Sequence, residues 1–172
     1  ASDVYKRQAY TGVATLAAAA AGAQVTHVDA SKGMVTWAKE NAVSSGLGDA
    51  PIRWLVDDCV KFVEREIRRG NTYDAIIMDP PSYGRGPKGE IWKIEDMIHP
   101  LIKLCTKILS KDALFFLVNS YTTGLAPAVL TYMISTELKP WNGHVDSQEI
   151  GLPVTDSGLV LPCGASGRWE RD

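Results

Sequence analysis

Short apolar segments alternate along this chain with longer segments in which apolar residues recur at helical spacing. Residues 24–29, 52–56, 74–78 and 113–118 have the length and composition of buried strands. The segments between them are long enough for single helices, and strands that alternate with helices form a parallel sheet with right-handed connections. The alternation therefore predicts an α/β fold built on a doubly wound, mostly parallel sheet.

Capping residues and prolines predict where several helices begin and end. Thr11 is a candidate N-cap for a helix over residues 11–21, and Ser31 is a candidate N-cap for the following helix. The helix over residues 94–109 is expected to break before Pro100, because proline suits the first turn of a helix.

Both ends of the chain depart from the regular alternation. Short alternating stretches from residue 144 onward predict an antiparallel closing hairpin. A doubly wound fold needs an apolar first strand, whereas residues 1–8 are mainly polar and charged. We therefore expect a first strand that is poor or missing, an extraneous or disordered start over residues 1–8, and one domain over residues 9–172. An N-terminal truncation is the explanation that we favour.

Composition limits the location and the partners of the protein. The 172 residues, of which 45% are hydrophobic, suffice for one core. The net charge of −2 lacks the basic excess of a nucleic-acid binder, so any nucleic-acid contact has to be local. No apolar run reaches the ~18 residues of a membrane span. Cys59, Cys105 and Cys163 show no C-x-x-C spacing, which favours a reduced, cytoplasmic protein without a metal site.

Polar residues follow four successive predicted strands, where the ligands of parallel sheets bind. These residues are Asp29-Ala30, Asp57-Asp58, Asp79-Pro80-Pro81-Ser82 and Asn119-Ser120. Gly12, in the turn before the first helix, lets the backbone approach a ligand closely. It is the one glycine of that turn, so the G-x-G-x-x-G dinucleotide motif is missing.

The acidic strand ends suit an adenosine ligand without a pyrophosphate cradle. Asp29 can accept two hydrogen bonds from a ribose diol, and its pairing with Gly12 favours this role over that of a solvated cap residue. Asp57 or Asp58 can accept from an adenine amino group, although Asp58 can also be a helix N-cap.

Seven parts of the sequence together resemble the class I S-adenosylmethionine-dependent methyltransferases: Tyr10-Thr11-Gly12, Gly22-Ala23, Val28-Asp29-Ala30-Ser31, Trp37-Ala38, Asn41, Asp57-Asp58 and Asp79-Pro80-Pro81-Ser82. More narrowly, the chain is similar to the bacterial large-subunit ribosomal RNA methyltransferases that modify guanine or cytosine. The resemblance covers residues 9–172 and implies a catalytic domain with a Rossmann-like, seven-stranded sheet and an antiparallel last hairpin. It also implies S-adenosylmethionine as cofactor and S-adenosylhomocysteine as product.

The resemblance implies methyl transfer to a nucleobase of an RNA partner, with 23S ribosomal RNA favoured. The residues implied in cofactor binding are Tyr10, Thr11, Gly12, Asp29, Ala30, Ser31, Asp57, Asp58 and Asp79. The residues implied in catalysis are Asp79, Pro80, Pro81, Ser82 and Tyr83.

The residues of the predicted catalytic segment favour a nitrogen target. Two prolines fix φ and hold the Asp79 carboxylate and the Pro80 carbonyl rigidly, where both can accept from a target N–H. Methylation at cytosine C5 requires a thiolate, and residues 118–121, where the resembled C5 enzymes carry it, contain no cysteine. Ser82 separates the prolines from Tyr83, which leaves open whether Tyr83 stacks on a base. The basic, glycine-rich residues 84–89 form a lid, a phosphate contact or an ordinary solvated loop.

Three other functions remain open at this point. A nicotinamide oxidoreductase is disfavoured by the missing glycines. A methyltransferase of a protein or small molecule, and an inactive module that binds cofactor or RNA, are compatible with the same residues.

Overall fold

The computed structural model of the chain describes residues 3–7, 11–85, 89, 91–122 and 124–172. Its strands are β1 (Asp3–Arg7), β2 (Gln24–Asp29), β3 (Ile52–Val56), β4 (Ala75–Met78), β5 (Tyr83–Arg85), β6 (Ile91–Lys93), β7 (Phe115–Ser120), β8 (Gly143–Pro153) and β9 (Val160–Arg171). Its helices are α1 (Val13–Ala20), α2 (Lys32–Ser44), α3 (Cys59–Arg69), α4 (Ile94–Thr106) and α5 (Pro127–Glu137).

Seven strands form one sheet in the order β3-β2-β1-β4-β7-β9-β8. The first five are parallel, and β9 runs antiparallel to both β7 and β8. From β1 the chain adds β2 and then β3 on one side of β1. It then crosses back and adds β4 on the other side of β1. The point where the strand order reverses therefore lies between β1 and β4, which is where open α/β sheets bind ligands. The doubly wound sheet and the closing hairpin are confirmed.

The first strand corrects one expectation from the sequence. Residues 3–7 form β1, which pairs in parallel with both β2 and β4 at the centre of the sheet. A strand was expected to be poor or missing here because the segment is polar. The ladder hydrogen bonds, however, come from backbone groups that every residue except proline supplies in full. The domain boundary at residue 9 stays a prediction.

Two helix boundaries also differ from the sequence-based expectations. The N-cap residue of α1 is Gly12, not Thr11, and no side chain caps this helix. Helix α4 continues through Pro100 instead of breaking before it. The apolar face of α4 is buried on both sides of the proline, for example at Ile98 and Ile102, and tertiary packing of such a face outweighs local propensity. Ser31 caps α2 as predicted, since its Oγ accepts from the Met34 N–H over 3.3 Å.

The main core lies on one face of the sheet, beneath α3, α4 and α5. Ile76 and Met78 of β4 point into it, while Ala75 and Ile77 point to the opposite face, because side chains alternate along a strand. The opposite face beside β4 is covered by the small side chains of α1. In the part of the chain that the structure describes, no helix is long and apolar enough to cross a membrane.

Candidate active site

A cavity of about 540 Å³ opens at the carboxyl ends of β2 and β4, which are the two neighbours of the central strand β1. Its volume lies within the ~300–1,000 Å³ that is usual for small-molecule sites. We call the following residues the described lining: Asp29, Ser31, Met34, Asp79, Pro80, Pro81, Ser82 and Tyr121. The fold therefore brings together two segments that the sequence singled out separately.

Asp29 ends β2 and is buried, with 6% of its surface exposed. The Ser31 N–H donates a 2.8 Å hydrogen bond to Asp29 Oδ1. A buried carboxylate is costly unless hydrogen bonds hold it, so this contact stabilises the acid and fixes its orientation. Ala30, between them, is exposed and lies outside the described lining.

The turn before α1 is fixed by its contacts with α2. Gly12 has a φ of +90°, and a Cβ at this position would lie 3.0 Å from the Cβ of Ala38. Both the backbone conformation and the close approach therefore require glycine. The Thr11 carbonyl accepts a 2.9 Å hydrogen bond from Asn41 Nδ2. Neither Thr11 nor Gly12 belongs to the described lining, and Tyr10 is outside the described residues.

The acidic pair after β3 takes structural partners. Asp58 is the N-cap of α3, and its Oδ1 accepts from the Lys61 N–H over 2.9 Å. The Asp57 carboxylate pairs with Arg65, and the Asp57 N–H donates to the Asp29 carbonyl over 3.0 Å. This backbone bond joins the ends of β2 and β3. Neither acid belongs to the described lining, and their contact with adenine stays a prediction.

The segment of residues 79–82 is held from two sides. Trp92 Nε1 donates a 2.7 Å hydrogen bond to the Pro81 carbonyl, and the Ile94 N–H donates over 3.1 Å to the Ser82 carbonyl. On the other side, the hydroxyls of Ser82 and Thr122 are hydrogen-bonded. The rigid turn that two prolines predict is thus anchored to β6, to the start of α4 and to the residues after β7.

Tyr83 is placed differently from the other predicted catalytic residues. It is the first residue of β5, pairs with Lys93 of β6 and is outside the described lining. The predicted loop or lid of residues 84–89 begins within β5, which contains residues 84 and 85, and residues 86–88 of that loop are outside the described residues. The sequence signal that would have predicted the β5–β6 hairpin is a glycine-containing loop flanked on both sides by apolar and aromatic residues.

Two residues of the described lining were missed by sequence reasoning. Met34 lies in the first turn of α2, and Tyr121 directly follows β7. Desolvation raises the pKa of Tyr121, and electrostatic repulsion from Asp79 and Cys163 raises it further. Tyr121 could have been identified from the sequence because it directly follows a strand of the parallel sheet, where ligands bind.

The chemistry of the described lining fits the cofactor that the sequence resemblance implies. It offers two carboxylates and two aliphatic hydroxyls as acceptors, together with apolar surface from Met34, the two prolines and the Tyr121 ring. It contains no lysine or arginine, so it suits a ligand with hydroxyl donors and positive charge better than a pyrophosphate. Among the described residues, no group of three or more His, Cys, Asp or Glu side chains is placed to hold a metal ion.

Two solved structures that are similar to this chain over almost its whole length are described as methyltransferases. The SAM-dependent methyltransferase from Agrobacterium tumefaciens is 41% identical with a TM-score of 0.91, over 99% of this chain and 56% of that chain. SMU.776, described as a methyltransferase and solved in complex with SAH, is 22% identical with a TM-score of 0.82, over 98% of this chain and 45% of that chain. The predicted class I methyltransferase fold is therefore confirmed.

Curated relatives are similar to part of the chain. Ribosomal RNA large subunit methyltransferase K/L of Shewanella frigidimarina is 34% identical over 56% of this chain and 14% of its own length. Ribosomal RNA large subunit methyltransferase K of Neisseria meningitidis is 30% identical over 64% of this chain and 32% of its own length. The chain thus spans a third or less of these relatives, and no protein-family model matches it. The resemblance to this group that the sequence predicted is confirmed.

Proposed function

We propose that this chain is the catalytic domain of an S-adenosylmethionine-dependent methyltransferase that modifies a nucleobase of 23S ribosomal RNA. The observation that carries the proposal is the cavity in which Asp29 and residues 79–82 meet across the centre of the sheet. The names of the curated relatives support RNA as the substrate class.

Cofactor binding is assigned first to Asp29, whose carboxylate the Ser31 N–H holds in place. In this orientation it accepts hydrogen bonds from ribose hydroxyls. Met34 adds apolar surface, and Asp79 adds negative charge that favours a cationic sulfonium. The full proposed set is Tyr10, Thr11, Gly12, Asp29, Ala30, Ser31, Met34, Asp57, Asp58 and Asp79.

Catalysis is assigned to residues 79–82, which orient the target nitrogen. When bound, S-adenosylmethionine supplies an electrophilic methyl group. We assign the Asp79 carboxylate and the Pro80 carbonyl as the acceptors for the N–H of the base, while the Pro81 carbonyl accepts from Trp92. Such acceptors fix the direction of the nitrogen lone pair and stabilise positive charge on the nitrogen.

A nitrogen target is supported by the positions of the cysteines. Cys59 and Cys105 are buried, and Cys163 lies in β9 with its Sγ directed to the Leu161 carbonyl over 3.3 Å. None of the three belongs to the described lining. The covalent addition that C5 methylation needs therefore has no thiolate in the described lining.

The test is methyl transfer from labelled S-adenosylmethionine to unmodified 23S ribosomal RNA made by transcription. Unmodified 16S ribosomal RNA is the matched control, and the methylated nucleoside is identified by mass spectrometry. We expect label in one nitrogen-methylated nucleoside of 23S ribosomal RNA. Label in neither RNA would contradict the proposed substrate, and label on C5 of cytosine would contradict the nitrogen target.

A further inference from the structure

We propose that Tyr121, and not Tyr83, is the aromatic residue that stacks on the target base. This inference rests on the proposed function and specifies how the same site holds its substrate.

The two tyrosines differ in where they lie, not in how exposed they are. Tyr121 is 57% exposed and Tyr83 is 51% exposed, so both rings can contact a flat partner. Only Tyr121 belongs to the described lining, together with residues 79–82. Tyr83 instead starts β5 and pairs with Lys93. A base held by Asp79 and Pro80 therefore meets the ring of Tyr121.

The backbone beside Tyr121 is anchored to the segment of residues 79–82. The Thr122 hydroxyl is hydrogen-bonded to the Ser82 hydroxyl. The Thr122 N–H donates over 3.2 Å to the Oγ of Ser120, which is fully buried. These bonds fix the turn after β7 relative to the acceptors of the site, so the ring has a defined place beside them.

The closing hairpin supports the same turn from behind. Gly164 of β9 has a φ of +146°, and a Cβ at this position would lie 1.8 Å from the Ser120 carbonyl oxygen and 2.8 Å from the Tyr121 Cα. Any side chain there would push the hairpin away from Tyr121. Glycine therefore lets β9 pack directly against the backbone that carries the ring.

A neutral aromatic ring suits a nucleobase in this position. Every base has a π-face, and aromatic rings stack on bases in proteins that bind single-stranded nucleic acid. Tyrosine has an ordinary pKa of about 10 and burial raises the pKa of Tyr121 further, so the phenol is uncharged at neutral pH and the ring does not repel nearby phosphates.

The test uses four variants: Tyr121→Ala, Tyr121→Leu, Tyr121→Phe and Tyr83→Ala. The measurements are KM and kcat with unmodified 23S ribosomal RNA, the Kd for that RNA by filter binding, and the affinity for S-adenosylhomocysteine by calorimetry. Tyr121→Ala and Tyr121→Leu should raise the KM and the Kd for RNA at least about fivefold. Tyr121→Phe keeps the ring and should stay within about twofold of wild type, whereas Tyr83→Ala should raise the KM and the Kd for RNA less than Tyr121→Ala does. All four variants should bind S-adenosylhomocysteine as wild type does.

Each other outcome decides against the inference. Wild-type RNA affinity in Tyr121→Leu would overturn it, as would a larger loss in Tyr83→Ala than in Tyr121→Ala. Loss of S-adenosylhomocysteine binding in the Tyr121 variants would assign the residue to the cofactor instead. A wild-type protein that binds S-adenosylhomocysteine but methylates no RNA would contradict the proposed substrate, and the stacking role would fall with it.

Discussion

The Trp92 indole donates a 2.7 Å hydrogen bond to the Pro81 carbonyl, and this bond links β6 to the segment that carries Asp79. Trp92 is partly buried, so its N–H needs a protein partner. The Pro81 carbonyl is engaged in this way, and the Pro80 carbonyl is the backbone acceptor that we propose for the target. The short β5–β6 hairpin therefore positions the proposed acceptors.

Trp92→Phe should slow methyl transfer without weakening cofactor binding. The ring is kept, but the Pro81 carbonyl loses its donor, which costs about 1 kcal/mol of stability and loosens the turn. We expect kcat to fall about tenfold, because small misplacements of a reacting group reduce rates strongly. Trp37→Phe, at an exposed position of α2, is the control. An unchanged kcat in Trp92→Phe would refute the positioning role.

Asp79→Asn should reduce kcat far more than it reduces cofactor affinity. The substitution keeps the shape of the side chain but removes the negative charge that accepts from the target N–H. Loss of one such electrostatic contact lowers kcat by about 10²–10³-fold. The affinity for S-adenosylhomocysteine, measured by calorimetry, should change less than about threefold. An equal loss in both quantities would show that Asp79 serves the cofactor rather than the transfer.

Cys163→Ser should leave methyl transfer intact. Cys163 lies close enough to Tyr121 for its charge to affect the Tyr121 pKa, which makes it the cysteine to test for a covalent mechanism. A nitrogen target needs no enzyme thiolate, so kcat should stay within about twofold of wild type. Loss of activity, together with an RNA adduct of the wild-type protein on denaturing gels, would instead indicate C5 methylation.

Glu66 of α3 should stabilise the fold in a pH-dependent way. Burial raises the pKa of Glu66, but hydrogen bonds from Asn71 and Tyr73 lower it. Arg69 and Arg53 lower it further, and the net pKa lies below the usual 4.5. Because the folded-state pKa is the lower one, this stabilisation is present above pH ~4.5 and is lost as the pH falls through the folded-state pKa.

Glu66→Gln should therefore lower the free energy of unfolding by about 2 kcal/mol at pH 7, since it removes the buried negative charge that accepts hydrogen bonds from Asn71, Tyr73 and Arg69. The difference from wild type should shrink as the pH falls below about 4.5. Urea unfolding at several pH values measures it, with Glu64→Gln, at an exposed position of the same helix, as the control. A difference that is constant across this pH range would show that the Glu66 charge is not the source of the stability.

The sequence predicted the parts of the site whose signals are local. Asp29 is the last residue of a buried strand and residues 79–82 directly follow another, and the parallel sheet brings such strand ends to one edge. Ser31 could be identified as a cap because it bonds three residues along the chain. Each of these features depends on residues that are close together in the sequence, so a sequence pattern can reveal it.

The rest of the site depends on contacts between distant residues. Thr122 meets Ser82 across 40 positions, and Trp92 reaches Pro81 only because β5 and β6 fold back on each other. Strand β1 was missed because its residues are polar, although its backbone pairs on both sides. Helix α4 continues through Pro100 because buried packing outweighs the local cost of the proline.

Calorimetric titration with S-adenosylhomocysteine tests the central claim most directly, because it needs no RNA. Wild type should bind in the micromolar range, and Asp29→Asn should weaken binding about tenfold, since it removes a charged acceptor of hydrogen bonds. Asp156→Asn, at an exposed position between β8 and β9, should bind as wild type does, and NAD should not bind. A protein that unfolds cooperatively yet does not bind S-adenosylhomocysteine, or one that binds equally well after Asp29→Asn, would contradict the assigned cofactor site.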